Sequence, residues 1–153
     1  MAESKIMFSW KAGFGLFHAD AQLVGEEILS IGESATAQQV LEKGRDDSTE
    51  LHKCFEWRDD VAAEKYRLDQ AKMVLRQLVF TRSEEQMKEK KPEIRVFHVT
   101  EQSKVGEYKP LPMIIKNDDE YQKLLQMAYA ELHAFKIKYQ HLQELDYILS
   151  LIP

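Results

Sequence analysis

The chain has 153 residues, of which 44% are hydrophobic and 31% are charged, and its formal net charge is −5 at pH 7. This length suffices for one domain that buries a core without a disulfide or a structural metal. Residues 61–82 carry five Lys and Arg against two Asp and Glu, whereas both ends of the chain are acidic. Acidic ends argue against indiscriminate coating of nucleic acid, which needs Lys and Arg to neutralise phosphates, but they leave room for a local basic face.

The expected compartment follows from three features of the sequence. The single cysteine, Cys54, cannot form an internal disulfide. No run of residues approaches the roughly eighteen apolar positions of a membrane span. The N-terminus lacks a basic segment followed by an apolar core, so no secretory signal is expected. We therefore predict a cytoplasmic protein with no membrane association.

Residues 1–15 form an aromatic N-terminal arm that holds Phe8, Trp10 and Phe14 among small residues. We predict that this arm packs against its own core, in preference to forming a dedicated ligand site. The glycines of the arm are not a nucleotide-binding fingerprint, because no predicted strand precedes them and no phosphate-binding lysine follows at the required spacing.

Residues 16–78 form the predicted helical part. A first amphipathic helix is expected to stop at Gly32. Thr36 followed by Gln39 has the form of a capping box, in which two side chains satisfy free N–H groups at a helix start. The second helix that begins there is expected to end near Gly44.

A polar turn then leads into a third short helix that holds Leu51 and Phe55. The pair of short helices has the order of a helix-turn-helix, whose second helix lies in the DNA major groove. That second helix offers Lys53 but no arginine to reach guanine edges. A hairpin that only packs into a helical core is the alternative.

A long amphipathic helix is predicted to begin near Asp59 or Asp60 and to run to about Leu78. Three of its cations recur at intervals of seven and four and therefore form one stripe along the helix. The stripe is either a solvated face or a face that contacts phosphates. The predicted nucleic-acid-binding residues are Lys53, Lys65, Lys72 and Arg76.

Residues 79–116 form the predicted β part. The composition of 78–81, 94–99 and 113–115 favours strands, so we predict a small antiparallel β-hairpin or a three-stranded meander. Because Pro112 has no N–H, the last strand should be an edge strand or begin after it. The charged segment between the first two strands is predicted to be a loop.

The last predicted element is a long helix over 117–152, capped by Asn117. Its apolar residues follow at steps of four and three over about nine turns, or roughly 50 Å. Heptad-like spacing of this length predicts self-association. A helix that folds back across its own domain is the alternative. The predicted oligomer interface comprises Leu125, Leu132, Phe135, Tyr139, Leu142 and Leu149.

No catalytic, cofactor or metal arrangement stands out in the sequence. Cys54 and His52 are two apart on a predicted helix and would point away from each other. His141 and Glu144 could share a helical face, but a di-metal carboxylate site needs further donors on facing helices. We therefore predict no catalytic residues, no metal and no cofactor, and a chain that is not an enzyme.

The segments TAQQVLEKGRD and LHKCFEWRDDVAAEKYRLDQA carry the most specific pattern in the chain. This order resembles that of small proteins encoded by phages and prophages, and it covers a third to a half of the chain. The resemblance implies a phage or mobile-element setting, with the host cytoplasm as location, and no established activity. The matching positions are Thr36–Ala37, Leu51–His52, Phe55 to Trp57, Asp59–Asp60, Ala62 to Arg67, and Gln70–Ala71.

These features predict a mainly α, α+β fold in a single domain spanning 1–153. It combines a helical hairpin, long amphipathic helices, a small antiparallel β element and a long C-terminal helix. The predicted function is that of a non-catalytic, homo-oligomeric interaction protein acting in DNA-related processes or regulation through the hairpin and the basic stripe. The alternative is an adaptor or inhibitor that binds a host protein without nucleic-acid contact.

Overall fold

The computed structural model describes residues 5–12, 17–60, 63–100 and 106–153. These residues form an α+β fold that is mainly α, as the sequence predicts. The α-helices are α1 (Ala21–Leu29), α2 (Ala37–Gly44), α3 (Glu64–Gln77), α4 (Glu84–Lys88), α5 (Leu111–Lys116), α6 (Asp118–Tyr139) and α7 (Asp146–Ser150). The strands are β1 (Phe8–Trp10), β2 (Ala35–Thr36), β3 (Leu78–Phe80), β4 (Phe97–Val99) and β5 (Glu107–Pro110). Two 3-10 turns lie at Leu51–Cys54 and Gln143–Leu145.

The strands form small antiparallel sheets, as predicted. β1 pairs with β3, and β5 pairs with β2 on one side and β4 on the other. A bridge between Val79 and Arg95 joins β3 to the segment that enters β4. Two of the strands lie in regions where no strand was predicted: β1 belongs to the N-terminal arm, and β2 directly precedes α2.

The aromatic arm packs on the core of its own chain, which confirms that prediction for the residues described. Phe8 is buried, and its ring stacks on Phe97 with ring centroids 6.0 Å apart. Gly25 of α1 makes room for this ring, because a Cβ there would lie 2.3 Å from a ring carbon of Phe8. Phe14 lies outside the described residues.

The start of α2 confirms the predicted capping box. Thr36 Oγ1 accepts a hydrogen bond from the N–H of Gln39 at 3.1 Å, and the Gln39 side chain accepts one from the N–H of Thr36 at 2.9 Å. The helix ends at Gly44, where the sequence predicts its end. Each of these bonds joins residues three apart, which is why the sequence alone can locate this helix.

Two predicted elements are wrong and are corrected by the structure. The predicted strand at 113–115 is part of helix α5, in which Pro112 occupies the first turn, where no N–H is needed. The charged loop contains α4, whose start carries a second capping box formed by Ser83 and Gln86.

The long central helix begins later than predicted, at Glu64. Asp59 does not cap it and instead accepts a hydrogen bond from the Arg67 side chain at 2.6 Å. Ala71 and Leu75 are buried along its inner face, as the apolar spacing predicts. Val61 lies outside the described residues.

The C-terminal helix is shorter than predicted. α6 covers 22 residues, about 33 Å at 1.5 Å per residue, and the chain then reverses near Gln140. Lys136 Nζ donates a hydrogen bond to the backbone oxygen of Ile152 at 3.0 Å, and Leu149 is buried. The residues after Gln140 therefore fold back toward the end of α6. Within the described ranges, no helix is both long enough and apolar enough to cross a membrane.

Candidate interaction surfaces

The described residues of the segment from Leu51 to Arg67 form a structural cluster around Trp57. The Trp57 indole N–H donates to the backbone oxygen of His52 at 2.8 Å, and the two rings stack with centroids 4.8 Å apart. His52 Nδ1 lies 2.9 Å from the backbone oxygen of Gly44, so it donates a hydrogen bond there. These contacts tie the segment after the Leu51–Cys54 turn to the end of α2.

Arg67 fixes the same segment from the side of α3. Its guanidinium donates to the Glu56 backbone oxygen at 3.0 Å and to the Asp59 carboxylate at 2.6 Å, and it lies over the Trp57 ring at 5.4 Å. The Arg67 side chain is only 8% exposed. Arg67 lies away from the side of α3 that carries Lys65, Lys72 and Arg76, and its contacts show that it stabilises the fold. The pattern residues in this cluster thus serve architecture.

The Cys54 thiol is poorly suited to nucleophilic chemistry. The side chain is buried, and burial raises the pKa of the thiol to about 12, with Glu50 and Glu27 acting in the same direction. A thiol with this pKa stays protonated at neutral pH and is a weak nucleophile. The nearby His52 ring is already committed to Gly44 and Trp57.

The predicted helix-turn-helix is not formed. Its second helix is a four-residue 3-10 turn, Leu51–Cys54, with Leu51 and Cys54 buried. A recognition helix must project several side chains into the major groove, and one turn held by the core cannot do so. Lys53 is exposed, but its ammonium pairs with the Glu50 carboxylate at 3.0 Å. This part of the chain therefore packs into the core, which is the alternative to a helix-turn-helix given above.

A basic surface runs along the outer side of α3. Lys65, Lys72 and Arg76 are exposed, and no ion pair joins them to any acidic group in the described part of the chain. Arg95 extends this surface from the neighbouring segment. Burial lowers the pKa of Arg95 and the like charge of Arg76 acts in the same direction, whereas Tyr108 and the Glu131 carboxylate of α6 act in the opposite direction. Asp69 lies on α3 between the cations and offsets one charge. We call Lys65, Lys72, Arg76 and Arg95 the basic surface.

Helix α6 presents a continuous apolar face. None of its residues, all of which the structure describes, is buried. Leu132 is 43% exposed and Phe135 is 45% exposed, and the Phe135 ring contacts the Tyr139 ring with centroids 4.7 Å apart. An ion pair between Lys109 and Glu120 anchors the start of the helix to β5. The α6 face comprises Tyr121, Leu125, Ala128, Leu132, Phe135 and Tyr139.

The predicted interface residues divide into two groups. Leu125, Leu132, Phe135 and Tyr139 lie on α6, at spacings that place them on one side of the helix. Leu142 is exposed beyond the end of α6, and Leu149 is buried by its own chain and is unable to contact a partner. The structure thus keeps four of the six residues together.

An apolar cavity of about 860 Å³ lies where α1, β3 and α5 meet. Its size is within the range of small-ligand pockets. The rim carries charges of both signs. The lining side chains include Ile6, Leu29, Phe80, Pro112 and Met113.

In the ranges that the structure describes, no group of three or more His, Cys, Asp or Glu side chains is placed to hold a metal ion. No protein-family model, curated protein or solved structure matches the chain. The basic surface, the α6 face and the apolar cavity are the three surface features that could bind a partner or a ligand.

Proposed function

We propose that this chain is a non-catalytic interaction protein that works as a homo-oligomer assembled through the α6 face. The observation that carries the proposal is a helix of 22 residues with none buried, on which Leu132 and Phe135 are nearly half exposed. Contiguous apolar surface of this kind marks an interaction site, because leaving it in water is unfavourable.

A second copy of the chain suits this face because the apolar residues follow at steps of four and three. This spacing lets the side chains of one helix fit between those of an identical helix. A stable interface buries about 800 Å² on each partner. A helix of about 33 Å can supply most of that area only when its face is covered along the whole length.

The test compares two substitutions on opposite sides of α6. Phe135 lies on the α6 face, whereas Ile137 lies two residues further, on the opposite side, and is 55% exposed. We expect wild type and Ile137→Glu to show a multiple of 17.9 kDa by light scattering, and Phe135→Glu to show a single chain mass. Circular dichroism should be the same for all three proteins.

Either of two results would contradict the proposal. A wild-type mass of 17.9 kDa at high protein concentration would mean that the α6 face is not covered by a second copy. Equal loss of association in Phe135→Glu and Ile137→Glu would mean that added negative charge, and not the α6 face, decides the outcome.

A second candidate function is contact with nucleic-acid phosphates through the basic surface. Its support is the group of exposed cations on α3 that lack acidic partners among the described residues, together with Arg95 beside Arg76. An oligomer would present several copies of this surface, and linked sites bind more tightly than single ones. The net charge of −5 limits such binding to the local face.

Binding of a labelled DNA duplex, followed by fluorescence anisotropy, tests the second candidate. If four cations each neutralise one phosphate, the affinity should fall roughly 100-fold between about 50 and 200 mM salt. Lys72→Glu with Arg76→Glu should abolish binding. Lys88→Glu with Lys90→Glu makes the same change of charge near α4 and should leave binding intact. Absence of binding at the lower salt concentration would leave a protein partner as the alternative.

A further inference from the structure

We infer that two copies of α6 pack antiparallel about a two-fold axis that passes near Ala128. The inference depends on the proposed homo-oligomer and specifies the partner and the geometry of its interface. Two observations support it: the two ends of α6 carry opposite charges, and the register that pairs these charges also pairs the apolar residues of the α6 face.

The two ends of α6 carry opposite charges. The first turn holds Asp118, Asp119 and Glu120, and the last turn holds Lys136 and Lys138. In a parallel pair, acidic starts would meet acidic starts and basic ends would meet basic ends. An antiparallel pair places the acidic start of one copy beside the basic end of the other, so the charges attract at both ends.

The spacing of these charges also fits an antiparallel pair. Asp118 and Lys136 are separated by five turns at 3.6 residues per turn, so they lie along the same side of the helix. Glu120 and Lys138 have the same separation. Positions on the same flank face each other when two identical helices run antiparallel, so each flank pairs acid with base.

Some of these charges already have partners within the chain. Glu120 pairs with Lys109, and Asp119 pairs with Lys123 at 3.5 Å. Lys136 donates to the backbone oxygen of Ile152, an uncharged acceptor that leaves its positive charge in place. Asp118 and Lys136 are therefore the charges best placed to attract each other across the interface.

The same register pairs the apolar residues of the α6 face. The Asp118–Lys136 pair is centred on Met127 and the Glu120–Lys138 pair on Tyr129, so Ala128 lies midway between the two centres. Its small side chain therefore lies at the two-fold axis, where it permits a close approach of the two helices. Tyr121 of one copy then lies opposite Phe135 of the other, and Leu125 lies near Leu132. A single register thus satisfies the charges and covers the exposed aromatic residues.

Cysteine cross-linking distinguishes the two orientations. Tyr121→Cys and Phe135→Cys are prepared in the full chain, where the native Cys54 thiol is buried and its pKa is about 12. After mixing and mild oxidation, we expect disulfide-linked dimers that contain one chain of each variant, identified by a mass tag on one of them. Each variant alone should form at least tenfold less linked dimer than the mixture.

The Ala128→Cys variant shows whether a negative result contradicts the antiparallel orientation or the existence of the homo-oligomer. This position faces its own copy at the axis of an antiparallel pair, and it also faces its own copy in a parallel pair. Linked Ala128→Cys chains with efficient self-linking of Tyr121→Cys and of Phe135→Cys would show a parallel pair and overturn the inference. Linked Ala128→Cys chains with no link in the mixture would overturn the register. Failure of Ala128→Cys to link at all would count against the proposed homo-oligomer itself.

Discussion

The body of the molecule and helix α6 place their apolar side chains in opposite environments. In the body, side chains such as Val24, Leu41 and Leu75 are completely buried between α1, α2, α3 and the sheets. Along α6, apolar side chains recur just as regularly, yet none is buried. Regular spacing therefore reports that a helix has an apolar face, and only the surrounding structure reports what covers it.

Because of this difference, residues of the body and residues of the α6 face should affect different properties of the protein: the body its stability, and the α6 face its association. Each fully buried Leu or Val contributes about 1.5–3 kcal/mol through removal of its surface from water. The side chains of the α6 face contribute little of this in a single chain and gain it only in contact with a second surface. Substitutions in the body should therefore change the free energy of unfolding, and those on α6 should change the mass of the assembly.

The largest effect in the body is expected at Arg67. Arg67→Ala removes the hydrogen bonds to Glu56 and Asp59 and the contact with Trp57, and it should lower the free energy of unfolding by about 2–3 kcal/mol. Urea denaturation measures this loss. Arg58→Ala removes an arginine that is 71% exposed and should cost less than about 0.5 kcal/mol. Equal losses for both variants would show that the cluster around Trp57 is not held by Arg67.

The next effect concerns the packing of Phe8 against α1. Alanine is a better helix former than glycine by about 1 kcal/mol, so propensity alone predicts that Gly25→Ala stabilises the protein. A Cβ at this position would lie 2.3 Å from the Phe8 ring, and forcing it in should cost about 1–3 kcal/mol. We expect a net loss in urea denaturation. A gain in stability would show that Phe8 does not occupy the space beside Gly25.

A smaller effect is expected from the pH dependence of His98. Burial lowers the pKa of the His98 imidazole, against the effect of its hydrogen bond with the Arg95 backbone oxygen, and the charge of Arg95 adds to the lowering. The unfolded chain, with an ordinary pKa of about 6.5, then binds the proton more readily than the folded chain. The contribution of neutral His98 to the free energy of unfolding should be fully present above that value, and it should decrease as the pH drops from about 6.5 toward 5.

The measurement is the urea midpoint of wild type and His98→Gln at pH 7.5 and pH 5.5. The variant should lose less stability than wild type between these two values, because it has no proton to bind at this position. An identical loss in both proteins would assign the pH dependence to other groups.

The smallest effect on folding is expected on the α6 face. Leu132→Gln replaces a side chain that is 43% exposed, so it should change the free energy of unfolding by less than about 0.5 kcal/mol in dilute, monomeric protein. Thermal unfolding at low concentration measures this. A loss of 2 kcal/mol or more, as expected for a core leucine, would show that the chain itself covers this face.

The structure shows which features the sequence could predict. The α2 capping box depends on Thr36 and Gln39, three residues apart, and it was predicted with its end at Gly44. The same signal was present at Ser83 and Gln86, where the charged composition pointed to a loop. At 113–115 the β-branched composition favoured a strand, but Pro112 stabilised a helix start.

Elements that form through contacts between residues far apart in the chain could not be predicted from local sequence patterns. β1 and β2 are each too short to be recognised and exist because they pair with β3 and β5. The apolar spacing of the C-terminal region continues past Tyr139, so it did not reveal the reversal that buries Leu149. The exposed group on α6 was predicted because its spacing is local.

The most direct test of the account is amide hydrogen exchange of α6 at two protein concentrations. If a second copy covers the α6 face, protection of residues 121–139 should rise with concentration, while local opening of α3, whose inner face packs in the core of its own chain, should change less. Protection of α6 that is independent of concentration would contradict the account, because it would show that a single chain sets the stability of this helix.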